Sequence, residues 1–510
     1  MAGRDYTSGS LPFNVINSTG GLNSTASGLN VADNESTDLQ NIDFNKFGSI
    51  LKRNGYDVLN SSAFNSGATW TGLYAYEITS TGQVFLVGTC GNKLAKMDEL
   101  DGTWDDITGA LTITAGNNNL TTFATHLDTL LGTNGIDAPF IWTGSGNGSA
   151  MTVPATLTKA KFVVAWNKYT FLAHVFVGGA LRKNRIYWST IDSISAWSAS
   201  DFRDIGLNDG QEITAVKALG DRLIIYKNRS IWYGQFTGDS DLPFVFFPTP
   251  SSVGCEAGFA VQEVDNGHIF LSQDGYYYFD GVNSQKISDK INNTLTGFNR
   301  TRFKYGSSCY QKSKNRYWCS VSTEGTSTNT KVVTLDTYNK AWSVYKGHNA
   351  NCFAVIYSDG EERVYFGDYS GYVYRADIGT EDNPATVETA IDAYYYTKWF
   401  NFDDLVELKG VPHIVLYFQI ANTTLTMAYS YDFEVADQYS QSFSLATSSS
   451  VYGTAIYGTD TYAGSGGNVL RRDLTGRGRV IRFKFASSVL DETMQIDGFG
   501  LFPHIETVSA

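Results

Sequence analysis

Between residues 84 and 379 the chain keeps returning to one unit. The unit is a strand-like run, a tight turn, an aromatic strand that often closes on Asp, a second turn, and frequently a Trp. Its copies are VFLVGTCGNKLAKMDELDGTW (84–104), LLGTNGIDAPFIWTG (130–144), RKNRIYWSTIDSISAW (182–197) and LIIYKNRSIWYGQFTG (223–238). They continue as IFLSQDGYYYFDGV (269–282), TKVVTLDTYNKAW (330–342) and VYFGDYSGYVYRADIG (364–379). Hairpin turns marked at Gly91, Gly135, Asn184, Asn228, Asp274, Asn329 and Ser370 lie 44, 49, 44, 46, 55 and 41 residues apart. A period of about 40–50 residues is that of a four-stranded propeller blade. Residues 67–385 are therefore expected to form a β-propeller of seven blades, with six or eight as the neighbouring counts. An irregular series of meanders in sandwich domains shares the strand spacing. The interval of 55 residues holds an additional hairpin, RYWCSVSTEGTSTNTKVVTL, looping at Thr323-Glu324-Gly325.

A sub-motif sharpens the repeat. Asp98 to Trp104 and Asp336 to Trp342 share an Asp-x5-Trp spacing, and Asp192 to Trp197 is one residue shorter. A strand-ending Asp accepts backbone N–H groups from the following turn, and the Trp packs between sheets. In DGYYYFDG (274–281) the turn dipeptide Asp274-Gly275 precedes four consecutive aromatic residues, where a strand with one wet face would alternate. Continuous apolarity is expected of a strand covered on both faces.

Composition agrees with an all-β chain. Of 510 residues, 14% are aromatic and only 17% charged, with 50 Gly and 9 Pro. Aromatic residues favour strands, and Gly, Asn, Asp and Ser favour turns. The formal charge of −13 opposes nonspecific binding to the outside of a nucleic-acid duplex, while remaining compatible with an acidic conduit through which DNA slides. Five widely spaced Cys without a CxxC argue against a disulfide framework or a Cys-rich zinc site, and for isolated buried thiols in a reducing compartment. The N-terminus has no apolar signal region and no run of 18 apolar residues occurs, so neither export nor a membrane-spanning segment is expected.

The flanks read differently. Residues 1–66 are rich in Gly, Asn, Ser and Thr and are expected to form an extended N-terminal arm and a β-hairpin. A short helix is expected near Asp33 or Asn34, with Glu35 in its first turn. The hairpin is placed at Ser49–Arg53, the turn Asn54-Gly55, and Tyr56–Leu59. From 386 to 510 the strands lengthen and alternate, as in TLTMAYSYDF and VIRFKFAS, which predicts a separate antiparallel β-sandwich domain. Within it, 447–467 reads as a loop of small residues and Tyr, a candidate glycan contact.

No motif carries chemistry. GxxxxGK[ST], HExxH and GxSxG are absent, and no GxGxxG opens a helix. The six His are scattered singly. Arg182, Arg185, Arg203 and Arg222, with Tyr187 and Asp209, are the residues a sialidase-type site would need at a propeller axis. LDGTW (100–104), however, lacks the Ser and the spacing of the box such enzymes carry. DELDGTWDD (98–106) and NIDFN (41–45) lack EF-hand ligand spacing and read as acidic turns. The one basic concentration is Arg471, Arg472, Arg477, Arg479, Arg482 and Lys484. Strand alternation places Arg482 and Lys484 on one face, opposite Ile481 and Phe483, as a solvated face or a subunit contact rather than a nucleic-acid site. No catalytic residue, cofactor or metal ligand is expected.

The N-terminal segment resembles the tail nozzle or tail hub proteins of short-tailed bacteriophages. The likeness rests on Gly28-Leu29-Asn30, on Glu35-Ser36 with Leu39 and Asn41, and on Gly48, Leu51, Arg53 and Gly55. The repeats extend it over about 50–385. The resemblance implies a non-enzymatic structural protein of the virion tail, assembled in the host bacterial cytoplasm. It implies a homo-oligomer, usually a hexameric ring, around the DNA exit channel. Its partners would be portal or adaptor and tail fibre or tailspike proteins, with double-stranded DNA passing without sequence-specific contact. A receptor- or glycan-binding propeller of a phage tail, or a propeller glycosidase, are the competing readings.

Overall fold

The computed structural model describes residues 12–98, 102–418, 424–444 and 469–505. The chain is all-β, 50% strand and 5% helix, and propeller-like. Six antiparallel four-stranded sheets follow one another along the sequence, each a simple meander. Their first strands are Trp70–Ile78, Thr122–His126, Leu157–Trp166, Ile213–Leu219, Gln262–Val264 and Ser307–Gln311. A seventh sheet in the series begins with Cys352–Ser358, Glu361–Gly367 and Val373–Ile378, and takes its next strand, Gly55–Val58, from the other end of the chain.

The cores between these sheets form an unbroken succession. Tyr76, Val87, Leu130 and Trp142 join the first sheet to the second, and Leu131, Val163 and Leu172 join the second to the third. Further clusters link third to fourth, fourth to fifth and sixth to seventh. Trp70, Leu86 and Cys90 then pack on Cys352, Ala354 and Tyr365, bringing the seventh sheet back to the first. Each sheet is thus covered on both faces, as the aromatic run in DGYYYFDG requires. Tyr276 meets Tyr317 and Trp342 on one side, while Tyr277 and Phe279 meet Phe270 and Tyr226 on the other.

The turn marks at Gly91, Gly135, Asn228, Asp274, Asn329 and Ser370 all fall between the second and third strands of their sheets. Asn184 does not. It lies within the strand Ala180–Trp188, and the turn is Gly178-Gly179, both at positive φ, as a two-residue hairpin demands. The closing carboxylates act as expected at two sites: Asp336 accepts the N–H groups of Tyr338 and Asn339, and Asp280 those of Val282 and Asn283. Asp192 instead sits at φ +51° and faces Lys168 at 3.5 Å.

Three expectations for the flanks are corrected. No helix forms at Asp33–Glu35: Glu35–Ser36 is a strand running parallel to Gly21–Leu22, and Glu35 pairs with Lys290 at 2.8 Å. The Asn54-Gly55 turn joins no hairpin. Ile50–Lys52 pairs with Ile42–Phe44 and Gln495–Leu501, whereas Gly55–Val58 pairs in the seventh sheet. Gly55 is needed for a close approach rather than a turn, since a Cβ there would lie 1.6 Å from the Glu381 carbonyl oxygen. Nor are residues 386–510 separate. Two sheets are built there, one in the order Val469–Asp473, His413–Phe418, Gln495–Leu501, Ile50–Lys52, Ile42–Phe44, with Phe13–Val15 on Gln495–Leu501. The other runs Asp38–Gln40, Ala393–Tyr396, Ile481–Ser487, Thr424–Tyr431, Tyr439–Ser444. Arm strands complete both sheets, and Val15, Ile42, Leu416, Met427, Phe483 and Phe499 share one core.

The arm is anchored by a buried ion pair. Arg53 and Asp382 meet at 2.7 Å with side chains 1% and 8% exposed. Arg53 also donates to the side-chain oxygen of Asn41 at 2.9 Å and to the Lys346 carbonyl at 2.9 Å. Asn41, at φ +56°, accepts the Lys346 N–H and donates its own N–H to Val344. Breaking such a pair leaves an uncompensated buried charge, which costs about 3–5 kcal/mol. Arg53→Ala is therefore expected to lower the unfolding free energy by about that amount, read as a shift of the urea midpoint. Because the two partners are coupled, the Arg53→Ala/Asp382→Ala double variant should lose far less than the sum of the singles; additivity would contradict the network.

Candidate functional site

The first strands of the seven consecutive sheets converge on one cavity of about 430 Å³. Its walls are mostly neutral: Thr71, Tyr74, Thr122, Gln262 and Tyr310 among them. The one charged lining residue among the described residues is Lys217, the sole lysine of ITAVKAL (213–219). Solvent reaches its side chain inside the cavity, yet protein surrounds it, and this desolvation lowers its ammonium below the ordinary lysine range. The cavity does not admit a nucleic-acid duplex.

The residues a glycosidase would need are not brought to this axis. Arg185 lies on the third strand of its sheet, bidentate to Asp204 at 2.6 and 2.8 Å and stacked 3.8 Å from the Phe202 ring centre. Arg182 shares that strand and Arg203 lies on the fourth. Arg222 stacks on Tyr233 at 4.7 Å, Tyr187 is buried between sheets, and Asp209 binds the buried Lys227. Among the described residues no group of three or more His, Cys, Asp or Glu is placed to hold a metal ion. NIDFN is no acidic turn: Asp43 lies in the strand Ile42–Phe44, paired with Arg316 at 3.0 Å and accepting from the Tyr345 hydroxyl. In DELDGTWDD, Asp105 and Asp106 form a short strand facing Lys96 and Lys93, and residues 99–101 lie outside the described residues. Trp104 packs 4.3 Å from Trp70.

The basic stretch is divided. Arg471 and Arg472 belong to one sheet of the C-terminal part and Arg482 and Lys484 to the other. Arg482 and Lys484 do share the outward face, opposite buried Ile481 and Phe483. There they are held by aromatic rings: Arg482 lies 4.5 Å from Tyr396 and 4.6 Å from Trp399, and Lys484 pairs with Asp437 at 3.3 Å. The 447–467 loop lies outside the described residues. The five thiols are all free and buried; burial pushes Cys319 up to about 11.

A second cavity, of about 370 Å³, was missed from the sequence. Lys161, His174, Lys183, Glu212 and Lys304 line it together with Phe259 and Tyr305. These residues come from six separate segments, and no local spacing announces them.

Comparisons with known proteins bear on the fold alone. No family model and no curated protein matches the chain. Among solved structures it is similar to YCF48 bound to a D1 peptide, at 11% identity and a TM-score of 0.40, covering 66% of this chain and 97% of that one. It is similar also to BamB from Moraxella catarrhalis, at 14% identity and a TM-score of 0.34, covering 66% and 92%. A chain of the mitotic checkpoint complex matches at 9% identity and a TM-score of 0.39, covering 60% and 88%.

His268, beside the axial cavity, gives the fold a testable acid limit. Its Nε2 lies 3.0 Å from the Ala218 carbonyl, so that nitrogen carries the proton, and Nδ1 accepts from the Tyr226 hydroxyl at 2.9 Å. Burial lowers its pKa to about 4, with a smaller contribution from Lys217. Between pH 6.5 and 4 the unfolded chain then binds the extra proton. His268's contribution to stability is therefore complete above pH 6.5 and is lost as pH falls, by about 3 kcal/mol in all. His268→Gln removes this titration. The stability gap between wild type and His268→Gln in urea should narrow steadily from pH 7 to pH 4; a pH-independent gap would refute the assignment.

Proposed function

We propose that the chain is a structural subunit of the virion of a short-tailed bacteriophage, a tail nozzle or hub protein without enzymatic activity. In this reading the seven consecutive sheets are the blades of a seven-bladed propeller, and the two C-terminal sheets with their arm strands form a β-sandwich. The observation that carries the reading is the work done by the N-terminal residues in which the resemblance lies. Gly28 packs where a Cβ would lie 2.6 Å from the Trp399 ring. Leu39 is buried in the shared core, and Asn41 and Arg53 form the buried network with Asp382. Gly48 sits at φ +100° against Asn17, and Gly55 lies against the Glu381 carbonyl. Gly28, Leu39, Asn41, Arg53 and Gly55 each join the arm to the body, and a resemblance in such residues is one in architecture, which no surface motif would supply.

The subunit assembles in the host cytoplasm as a homo-oligomer, a hexameric ring by the resemblance, below the portal or adaptor and near tail fibre or tailspike proteins. Double-stranded DNA then passes between subunits. The propeller axis, at about 430 Å³, is too small to serve as its conduit. The formal charge of −13 suits a lining along which DNA slides without adhering. Electron microscopy of the purified protein and of particles carrying it tests the reading. Expected are closed rings whose opening lies between subunits, and density for the ring in the tail. A monodisperse monomer absent from every particle would sink it, as would turnover of a glycan substrate.

A further inference from the structure

The 370 Å³ cavity concentrates positive charge in an acidic protein. Lys161 comes from the first strand of the third sheet, His174 and Lys183 from its second and third strands, and Lys304 from the turn Arg300–Tyr305. The one carboxylate in the lining, Glu212, is taken by Lys183 at 2.9 Å. Lys161 and Lys304 have no carboxylate within ion-pair distance among the described residues. Lys161 lies 5.2 Å from the Phe162 ring and feels Glu212 and Glu256 at longer range, and the exposed Lys304 lies 5.2 Å from the Tyr305 ring. Arg302 stacks on Tyr305 at 4.9 Å and donates to Asn118. Like charges repel one another and resist desolvation, and among the described residues Lys161, His174, Lys183 and Lys304 are met in the lining by Glu212 alone. Burial lowers the Lys161 ammonium; Glu212 opposes this, and the neighbouring Lys304 and Lys183 add to it.

His174 is a second, independent oddity in the same wall. It stands at φ +55°, at a break in strand pairing between Ala173 and Val175. Non-glycine residues hold such a backbone rarely, and often at binding sites. Its Nδ1 lies 3.1 Å from the Ile213 carbonyl, which fixes the ring proton there. In the neutral ring Nε2 is then an acceptor, and it becomes a donor only on protonation. Burial, Lys161 and Lys183 oppose that protonation, and Glu212 favours it.

We propose that this cavity is a binding site for the phosphoryl group of a small phosphate monoester, with Lys161, Lys304 and protonated His174 holding the dianion. The walls of Phe259, Leu181 and Ile136 face its organic part, and the volume lies in the range of small-molecule pockets. The dianion supplies the missing counter-charge, so binding draws one proton onto His174 and tightens as pH falls. The site stands independently of the tail-nozzle reading.

Calorimetry of the full chain with ribose 5-phosphate and with inorganic phosphate, in 150 mM NaCl and in buffers of different ionisation enthalpy, tests this. Ribose 5-phosphate should bind saturably, with net proton uptake and at least ten-fold tighter at pH 6 than at pH 8. Inorganic phosphate should bind more weakly at the same site, in competition with it. Lys161→Gln and Lys304→Gln should each weaken binding at least ten-fold while melting no lower than wild type, because each removes one cation from a lining with an excess of positive charge. His174→Asn, which tolerates the left-handed backbone, should abolish the proton uptake. Absence of saturable binding by wild type at millimolar ribose 5-phosphate overturns the proposal outright. Equal affinity of the Lys161→Gln/Lys304→Gln double variant overturns the site, and binding without proton uptake overturns the role of His174.

Discussion

The contact of Arg53 with Asp382 is where the two halves of the molecule become one. Arg53 follows directly on Ile50–Lys52, a strand of the C-terminal core, and stands two residues before Gly55–Val58, a strand of the seventh sheet. Its guanidinium reaches the backbone of the sixth sheet through Lys346, the arm through Asn41, and, through Asp382, the strand Glu381–Asn383 that pairs with Gly55–Val58 in the seventh sheet. Four pieces of chain distant in sequence are thereby fixed by one planar fork of donors, which a flexible ammonium would not match. Asp43, Arg316, Asp377 and Lys314 form a second charged cluster nearby. A buried pair of this kind is weak evidence for stability and better evidence for a defined geometry. Apolar contacts would hold the arm on the outer strand of the sixth sheet; the charges determine in which register it lies.

What was legible in the sequence followed from local chemistry. Strands packed on both faces show as unbroken aromatic runs, and the loops between second and third strands show as Gly, Asn and Asp. Six of seven turn marks were therefore placed correctly. Asn184 was misread because a polar run, Arg182–Arg185, looks like a turn when it is a wet outer strand. The misreadings of the flanks share one cause. Asn54-Gly55 signals a sharp change of direction, and that change is real, but the strands on either side do not pair with each other: Ile50–Lys52 pairs with Ile42–Phe44 and Gln495–Leu501, and Gly55–Val58 with strands more than 300 residues away. Turn chemistry says where a chain bends and nothing of what the next strand will find.

The sites were less legible than the fold for the same reason. Lys161, His174, Lys183, Glu212 and Lys304 are each unremarkable in sequence, since an isolated lysine on a strand is ordinarily a solvated one. The resemblance of the N-terminal segment, by contrast, rested on residues whose roles are geometric. Gly55 is required by a carbonyl oxygen that a linear reading cannot place, and Asn41 by a left-handed backbone with five hydrogen bonds around it.

The strand Gly55–Val58 also orders events during synthesis. It leaves the ribosome before any residue of the sheet it joins, and its partner Val373–Ile378 follows only after six complete meanders. Each meander can hydrogen-bond within itself as it emerges, yet the last interface has no second wall until both ends are present. Ile50–Lys52 can pair with Ile42–Phe44 at once, but its other edge waits longer still, for Gln495–Leu501. During that interval the chain carries unpaired strand edges at its beginning, the condition in which β-proteins exchange strands or aggregate. Placing the closing strand first leaves residues 50–58 without their distant strand partners until the end of synthesis.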